Sequence, residues 1–203
     1  MELSKVTMIL RGYNVEQVRT VAEVLLHAKY VRNMEITLNT DNAYEIIRII
    51  SDEFQGELNV GAGTVQTYDE LKKAVDAGAK FVLSPRQMTA DMLAYCKERG
   101  IVSVPGSFTP SEIGDQFAMG ADIVKIFPAN ELSLKYAKKV CEPMGDLKLM
   151  AVGGINRGNV REALDSGYKY VGTAGGLFPK EQILQMDKEK MLISLKEFEA
   201  ELD

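Results

Sequence analysis

The stretch YDELKKAVDAGAKFVLSPRQMTADMLAYCKERGIVSVPG, residues 68–106, holds two copies of one pattern. An amphipathic segment runs into a glycine, first Gly78 and then Gly100, and a short apolar run follows each, FVLSP (81–85) and IVSVPG (101–106). Glycine just past a helix closes it in a left-handed conformation without a Cβ clash. The unit is therefore helix, glycine, short strand. Working outward, Gly56, Gly120, Gly145 and Gly167 extend the series, so that successive spacings are 22, 22, 20, 25 and 22 residues. Each precedes an apolar run: LNVGAGT, IVKIFP, LKLMAVGG and YVGTAGG. Two more units stand upstream, a strand over 5–11 with a helix from Val15 to Ala28, and a strand over 32–38 with a helix from Asn42 to Glu53.

Eight β-α units imply parallel strands joined by right-handed crossovers. Their even period favours a closed (β/α)8 TIM barrel over an open doubly wound sheet. The class is α/β. A chain of 203 residues is short for a barrel and has no Pro/Ser/Gly-rich linker, so residues 1–203 read as one domain. A charged amphipathic segment, Lys180 to Leu202, is expected to form a final helix on the outside.

Composition narrows the function. A net charge of −5 argues against a nucleic-acid binder. No apolar run approaches the roughly 18 residues of a membrane span, and no secretion signal opens the chain. Cys96 and Cys141 form no CxxC, and His27 is the only histidine, which disfavours disulfide frameworks, zinc sites and histidine-based catalysis. The expectation is a reduced, cytoplasmic enzyme that needs neither metal nor organic cofactor and binds neither nucleic acid nor membrane.

A barrel carries its chemistry at the carboxyl ends of its strands. In the second strand Asn33, Glu35, Thr37 and Asn39 alternate with Met34, Ile36 and Leu38; the apolar set must meet the helices, so the polar set points inward. In the sixth strand Lys125 shares a face with Ile123 and Phe127. Two readings of Lys125 stand side by side. It is a structural lysine that snorkels or pairs with Glu35, or it is an amine nucleophile. An ordinary lysine, with a pKa near 10.4, is almost wholly protonated at pH 7, and desolvation is what releases the free amine for Schiff-base chemistry. Glu35 likewise either solvates the barrel mouth or moves protons. The glycines of AVGGIN (151–156) and GTAGG (172–176) follow strands seven and eight, where barrels commonly bind phosphate; alternatively they are tight turns. GAGTV (61–65) is either a turn or a strand end that aims Thr64 at the mouth.

Taken in order, ILRG (9–12), MEITLNT (34–40), VGAGTV (60–65), LSP (83–85), VPG (104–106), VKIFPA (124–129) and AVGGI (151–155) resemble the successive motifs of the KHG/KDPG aldolase family. The resemblance runs from about residue 6 to residue 180. It implies a class I aldolase, a (β/α)8 barrel and a homotrimer, cleaving a 2-keto-3-deoxy-6-phospho sugar acid or 4-hydroxy-2-oxoglutarate to pyruvate and an aldehyde. On it, Lys125 matches the Schiff-base lysine and Glu35 the catalytic acid/base. Arg11 and Thr64 match substrate-binding positions, and Pro85, Pro105 and Phe127 match the keto-acid pocket. Gly153, Gly154, Gly175 and Gly176 match the phosphate site. The partner implied is a small keto acid.

The chain departs from the family at three places. Asn39 stands where many members have arginine, and its asparagine resembles instead the phosphogalactonate-cleaving branch. Gly175 stands where many have the serine of the phosphate site, and Lys29-Tyr30 replace a common Gly-Gly. Two competing functions stay open beside the aldolase: a phosphate-binding barrel of other chemistry, such as an isomerase or a thiamine-phosphate-synthase-like enzyme, and a non-catalytic barrel.

Overall fold

The computed structural model describes residues 2–203 and shows nine parallel strands in one sheet, ordered β5-β4-β3-β2-β1-β9-β8-β7-β6. The strands are β1 (Val6–Leu10), β2 (Asn33–Thr37), β3 (Asn59–Gly63), β4 (Phe81–Leu83), β5 (Val102–Val104), β6 (Gly106–Ser107), β7 (Val124–Ile126), β8 (Leu149–Val152) and β9 (Tyr170–Thr173). β5 and β6 are the two ends of the sheet, yet only Pro105 separates them in the chain. Proline has no N–H to give a ladder, so one stave is split in two. The sheet thus returns on itself as a nearly closed barrel with eight staves and nine strands.

Helices fill the connections: α1 (Val15–Leu25), α2 (Ala43–Glu53), α3 (Tyr68–Asp76), α4 (Ala90–Arg99), α5 (Pro110–Ala118), α6 (Tyr136–Met144), α7 (Val160–Asp165), α8 (Lys180–Leu184) and α9 (Lys188–Ala200). Three begin with reciprocal capping boxes, Asn14 with Gln17, Thr67 with Glu70 and Thr109 with Glu112, which satisfy two of the orphan N–H groups at each helix start. All six spacer glycines have positive φ, from 65° at Gly100 to 104° at Gly78. The expected single C-terminal helix is instead two: Met186 turns left-handed at φ 53°, and Asp187 starts α9 afresh by accepting from the Lys190 N–H.

Two apolar clusters separate the faces of the strands. The larger lies between sheet and helices and includes Met34, Ile36, Val124 and Ile126. The smaller fills the barrel and includes Phe81, Leu83, Val104, Ile123, Met150 and Val152, with Ile9 and Phe127 packed against it. The amino-terminal end of the barrel is closed by a polar plug. There Asn33 donates to the Ser4 and Val6 carbonyls and accepts from the Ser4 N–H and from Asn59, so its buried amide is satisfied. The carboxyl end is left for the site. Among the described residues no helix is long and apolar enough to cross a membrane.

Candidate active site

Glu35 on β2 and Lys125 on β7 both turn into the barrel. Glu35 is the register partner of Ile9, and Lys125 lies between Ile123 and Phe127, residues of the inner cluster. Glu35 is 3% exposed and Lys125 5%. No ion pair joins them among the described residues, and Glu35 Oε2 is buried without a hydrogen-bond partner. The Lys125 Nζ stands 5.0 Å from the centroid of the Phe127 ring.

Burial governs both groups. It pushes the Glu35 carboxyl above its usual range, with the positive charges of Lys125 and Arg11 pulling it back. It pushes the Lys125 ammonium below its usual range; Glu35 opposes that shift and Arg11 adds to it. Each group is thereby drawn toward its neutral form, a carboxylic acid and a free amine. This is an arrangement for nucleophilic and proton-transfer chemistry rather than for a tight ion pair.

Room for these side chains is made by glycine. Gly61 and Gly63 are inner-face residues of β3, not a turn. A Cβ on Gly61 would come within 2.6 Å of the Phe81 ring, and one on Gly63 would collide with the Glu35 carboxylate. Gly106 is the register partner of Lys125, and a Cβ there would meet the Pro85 backbone at 2.7 Å. The next residue after β3, Thr64, has φ 60°, a genuine outlier for a β-branched residue and of the kind that clusters at functional sites.

Two of the cavities at this end share Phe127 as a wall. The larger, 480 Å³, is lined by Arg11, Asn156, Thr173 and all four glycines of the expected phosphate site, Gly153, Gly154, Gly175 and Gly176. Among the described residues the backbone N–H groups of these four donate to no protein acceptor, and Arg11 forms no ion pair. Free N–H groups beside a guanidinium make an anion-binding concavity. The glycines are not equivalent. Gly153 and Gly154 have φ 112° and 71° and pack on Asn130, Gly176 packs on the Ile155 carbonyl, and only Gly175 faces open space at an ordinary φ. The smaller cavity, 230 Å³, is lined by Pro85, Arg86, Gly106, Ser107 and Glu112.

The structure therefore brings together Lys125, Glu35, Arg11, Phe127, Pro85 and the four glycines. Asn39 is not on the inner face: β2 stops at Thr37, where the Thr40 N–H bonds back to the Thr37 carbonyl and the chain turns, leaving Asn39 exposed. Pro105 lines neither cavity but accepts the Lys125 N–H at 2.8 Å, fixing the lysine's strand. Arg86 and Ser107 escaped the sequence reading. The signal for Arg86 was its place one residue past the LSP strand end; Ser107 had none.

A family model described as KDPG and KHG aldolase matches residues 1–193. A probable 2-dehydro-3-deoxy-6-phosphogalactonate aldolase of Rhizobium meliloti is 29% identical over 171 residues, 84% of this chain and 80% of the relative. A 2-dehydro-3-deoxy-phosphogluconate aldolase of Treponema pallidum is 31% identical over 163 residues, 80% and 76% of the two chains. Among solved structures, the KDPG aldolase of Legionella pneumophila with pyruvate captured as a covalent carbinolamine intermediate superposes with a TM-score of 0.83 at 28% identity, covering 97% of this chain and 93% of that one.

Proposed function

Because the chain belongs to the KDPG and KHG aldolase family and is therefore an aldehyde-lyase, we propose that it cleaves a 2-keto-3-deoxy sugar acid through a Schiff base on Lys125. The observation that carries this reading is the buried Lys125 amine, biased toward its neutral form and free of any ion pair among the described residues, opposite a Glu35 carboxyl biased the same way. The carbinolamine described for the Legionella relative supports it.

The neutral Lys125 adds to the C2 carbonyl of the keto acid and gives a carbinolamine. Glu35 protonates the departing hydroxyl, water leaves, and a protonated imine remains. Loss of the C4 hydroxyl proton, taken by Glu35 through a water, breaks C3–C4. The bonding pair flows to the imine nitrogen as an enamine, and the aldehyde departs. Protonation at C3 and hydrolysis then release pyruvate and the free lysine. The glycine cavity with Arg11 takes the distal, phosphorylated end of the substrate, and Thr64 holds the keto-acid end. Glyceraldehyde 3-phosphate is the aldehyde on this reading, with glyoxylate from 4-hydroxy-2-oxoglutarate as the unphosphorylated counterpart. The chain acts as one barrel domain, as a homotrimer in the cytoplasm.

Borohydride reduction in the presence of pyruvate tests the reading. A reduced pyruvyl adduct mapped to Lys125, absent from Lys125→Arg, is the expected result, because arginine stays protonated and supplies no nucleophile. A barrel of other chemistry, or a non-catalytic one, gains no adduct.

A further inference from the structure

The smaller cavity, on the Pro85 side of Phe127, has no part in the mechanism above. Resting on the Schiff-base reading, we infer that this groove seats the carboxylate of the keto acid, with Arg86 as its cation and the Ser107 hydroxyl as a buried donor.

The groove begins beside the reacting amine. Gly106 in its floor is the register partner of Lys125, and Phe127 in its wall packs near Nζ. Ser107 is 6% exposed, and its Oγ is buried with no hydrogen-bond partner among the described residues. An unpaired buried hydroxyl is costly, and one lining a groove is satisfied by a ligand that accepts from it. Arg86 is exposed and forms no ion pair among the described residues. The groove's own carboxylate, Glu112, does not neutralise it. Glu112 Oε2 accepts from the Phe108 and Thr109 N–H groups at 2.8 Å and from the Thr109 hydroxyl at 3.1 Å, and these bonds hold Glu112 below its usual range.

Charge bookkeeping gives the occupant. A phosphorylated keto acid has anions at both ends. Arg11 lines the glycine cavity and not the groove. Asn39 carries no charge and lines neither. Arg86 is then the cation on the other side of Phe127, one residue from the Pro85 that the family pattern places in the keto-acid pocket. The strand end that carries Thr64 is tied to the strand that leads into this groove, since the Val65 N–H bonds the Leu83 carbonyl two residues before Pro85.

The test is the pyruvate concentration that half-saturates borohydride trapping, measured for the unaltered protein, Arg86→Gln, Arg86→Lys and Ser107→Ala, with methyl pyruvate in parallel. Loss of a hydrogen bond to a charged group raises the half-saturating pyruvate about tenfold or more, both in Arg86→Gln and in Ser107→Ala. Arg86→Lys recovers most of the loss, and methyl pyruvate, which lacks the negative charge, shows no dependence on Arg86. Unchanged pyruvate saturation in Arg86→Gln overturns the inference, as does an equal shift for the ester. Absence of any adduct in the unaltered protein is a different failure: it removes the Schiff-base reading, and this inference with it.

Discussion

The Glu35 carboxylate occupies the space in which a side chain on Gly63 would begin. A Cβ built on Gly63 overlaps Glu35 Oε1 and lies 2.6 Å from its Cγ. The two residues sit on neighbouring strands, with Gly63 paired to Thr37 and Glu35 paired to Gly61, so the missing side chain is what keeps the carboxyl inside the mouth. Gly63→Ala is expected to displace Glu35 and to lower kcat/KM by about 10²–10⁴, the range for loss of a positioned acid/base. The overpacking costs about 1–3 kcal/mol of stability. Cleavage kinetics alongside urea denaturation check both. Turnover at the wild-type rate in a folded Gly63→Ala would remove Glu35, in its observed position, from the chemistry.

The same pair makes a stability prediction whose sign follows from the two shifts. Glu35 has a raised folded pKa, so its stabilising contribution is present below the ordinary value of 4.5 and is lost as pH rises through the folded value. Lys125 has a lowered folded pKa, so its contribution is present above the ordinary 10.5 and is lost as pH falls through the folded value. Near neutral pH the ionised forms of both oppose folding. Replacing buried ionisable groups by neutral ones of similar size removes that desolvation penalty, an effect of about 1–4 kcal/mol where buried charges are exchanged for apolar groups. The double variant Lys125→Met/Glu35→Gln is therefore expected to unfold at higher urea concentration than the parent at pH 7, while losing adduct formation. A less stable double variant means that the pair holds the fold together and is not held in place at its expense.

Arg11 touches the chemistry at a distance. Its positive charge helps to lower Lys125 and also draws Glu35 down against the effect of burial. In Arg11→Gln both groups move up. The pH at which pyruvate trapping stops accelerating, which follows deprotonation of Lys125, is expected to shift to the alkaline side, and the rate at pH 7 falls accordingly. A pH–rate profile of single-turnover trapping is the measurement. If the break stays in place while the KM of a phosphorylated substrate rises, Arg11 acts only as a ligand for the distal anion.

Much of this was legible in the sequence because the barrel repeats itself. The spacer glycines mark helix ends by a backbone requirement that only glycine meets freely, and the alternation of Glu35 with Met34 and Ile36 tells which way it points, whereas the strand of Lys125 is apolar on both faces and only the folded barrel shows the lysine turned inward. What stayed hidden depends on where a strand stops. Asn39 follows the alternation of Asn33, Glu35 and Thr37, yet the Thr37–Thr40 turn takes it off the inner face. The pairing of β5 with β4 and of β6 with β7 around Pro105 is a property of the closed sheet that no local pattern announces. Gly61 and Gly63 read equally well as a turn, because what they avoid, Phe81 and Glu35, lies on other strands.

Gly175 is where the phosphate reading can be strengthened or undone. Its three companions are glycines for reasons of their own: Gly153 would place a Cβ 2.7 Å from Asn130 Oδ1 at φ 112°, Gly154 one 2.7 Å from Asn130 Cβ at φ 71°, and Gly176 one against the Ile155 carbonyl. Gly175 alone has an ordinary φ and nothing within 4 Å of an added Cβ, so a serine fits there without strain. Replacing this exposed glycine is expected to leave stability unchanged or raise it by up to about 1 kcal/mol through the unfolded chain. The new hydroxyl faces a cavity lined by Arg11 and the free N–H groups of the neighbouring glycines. A hydrogen bond to a charged group is worth about 1.5–3 kcal/mol, so Gly175→Ser should raise the preference for a phosphorylated keto-deoxy acid over its unphosphorylated form by about tenfold to a hundredfold. The ratio of kcat/KM for a matched pair, in the parent and in the variant, is the measurement. The parent is expected to favour the phosphorylated member already, through the backbone donors and Arg11. A ratio near one in both proteins would mean that these glycines are plain turns, and that the substrate is 4-hydroxy-2-oxoglutarate or another keto acid without phosphate.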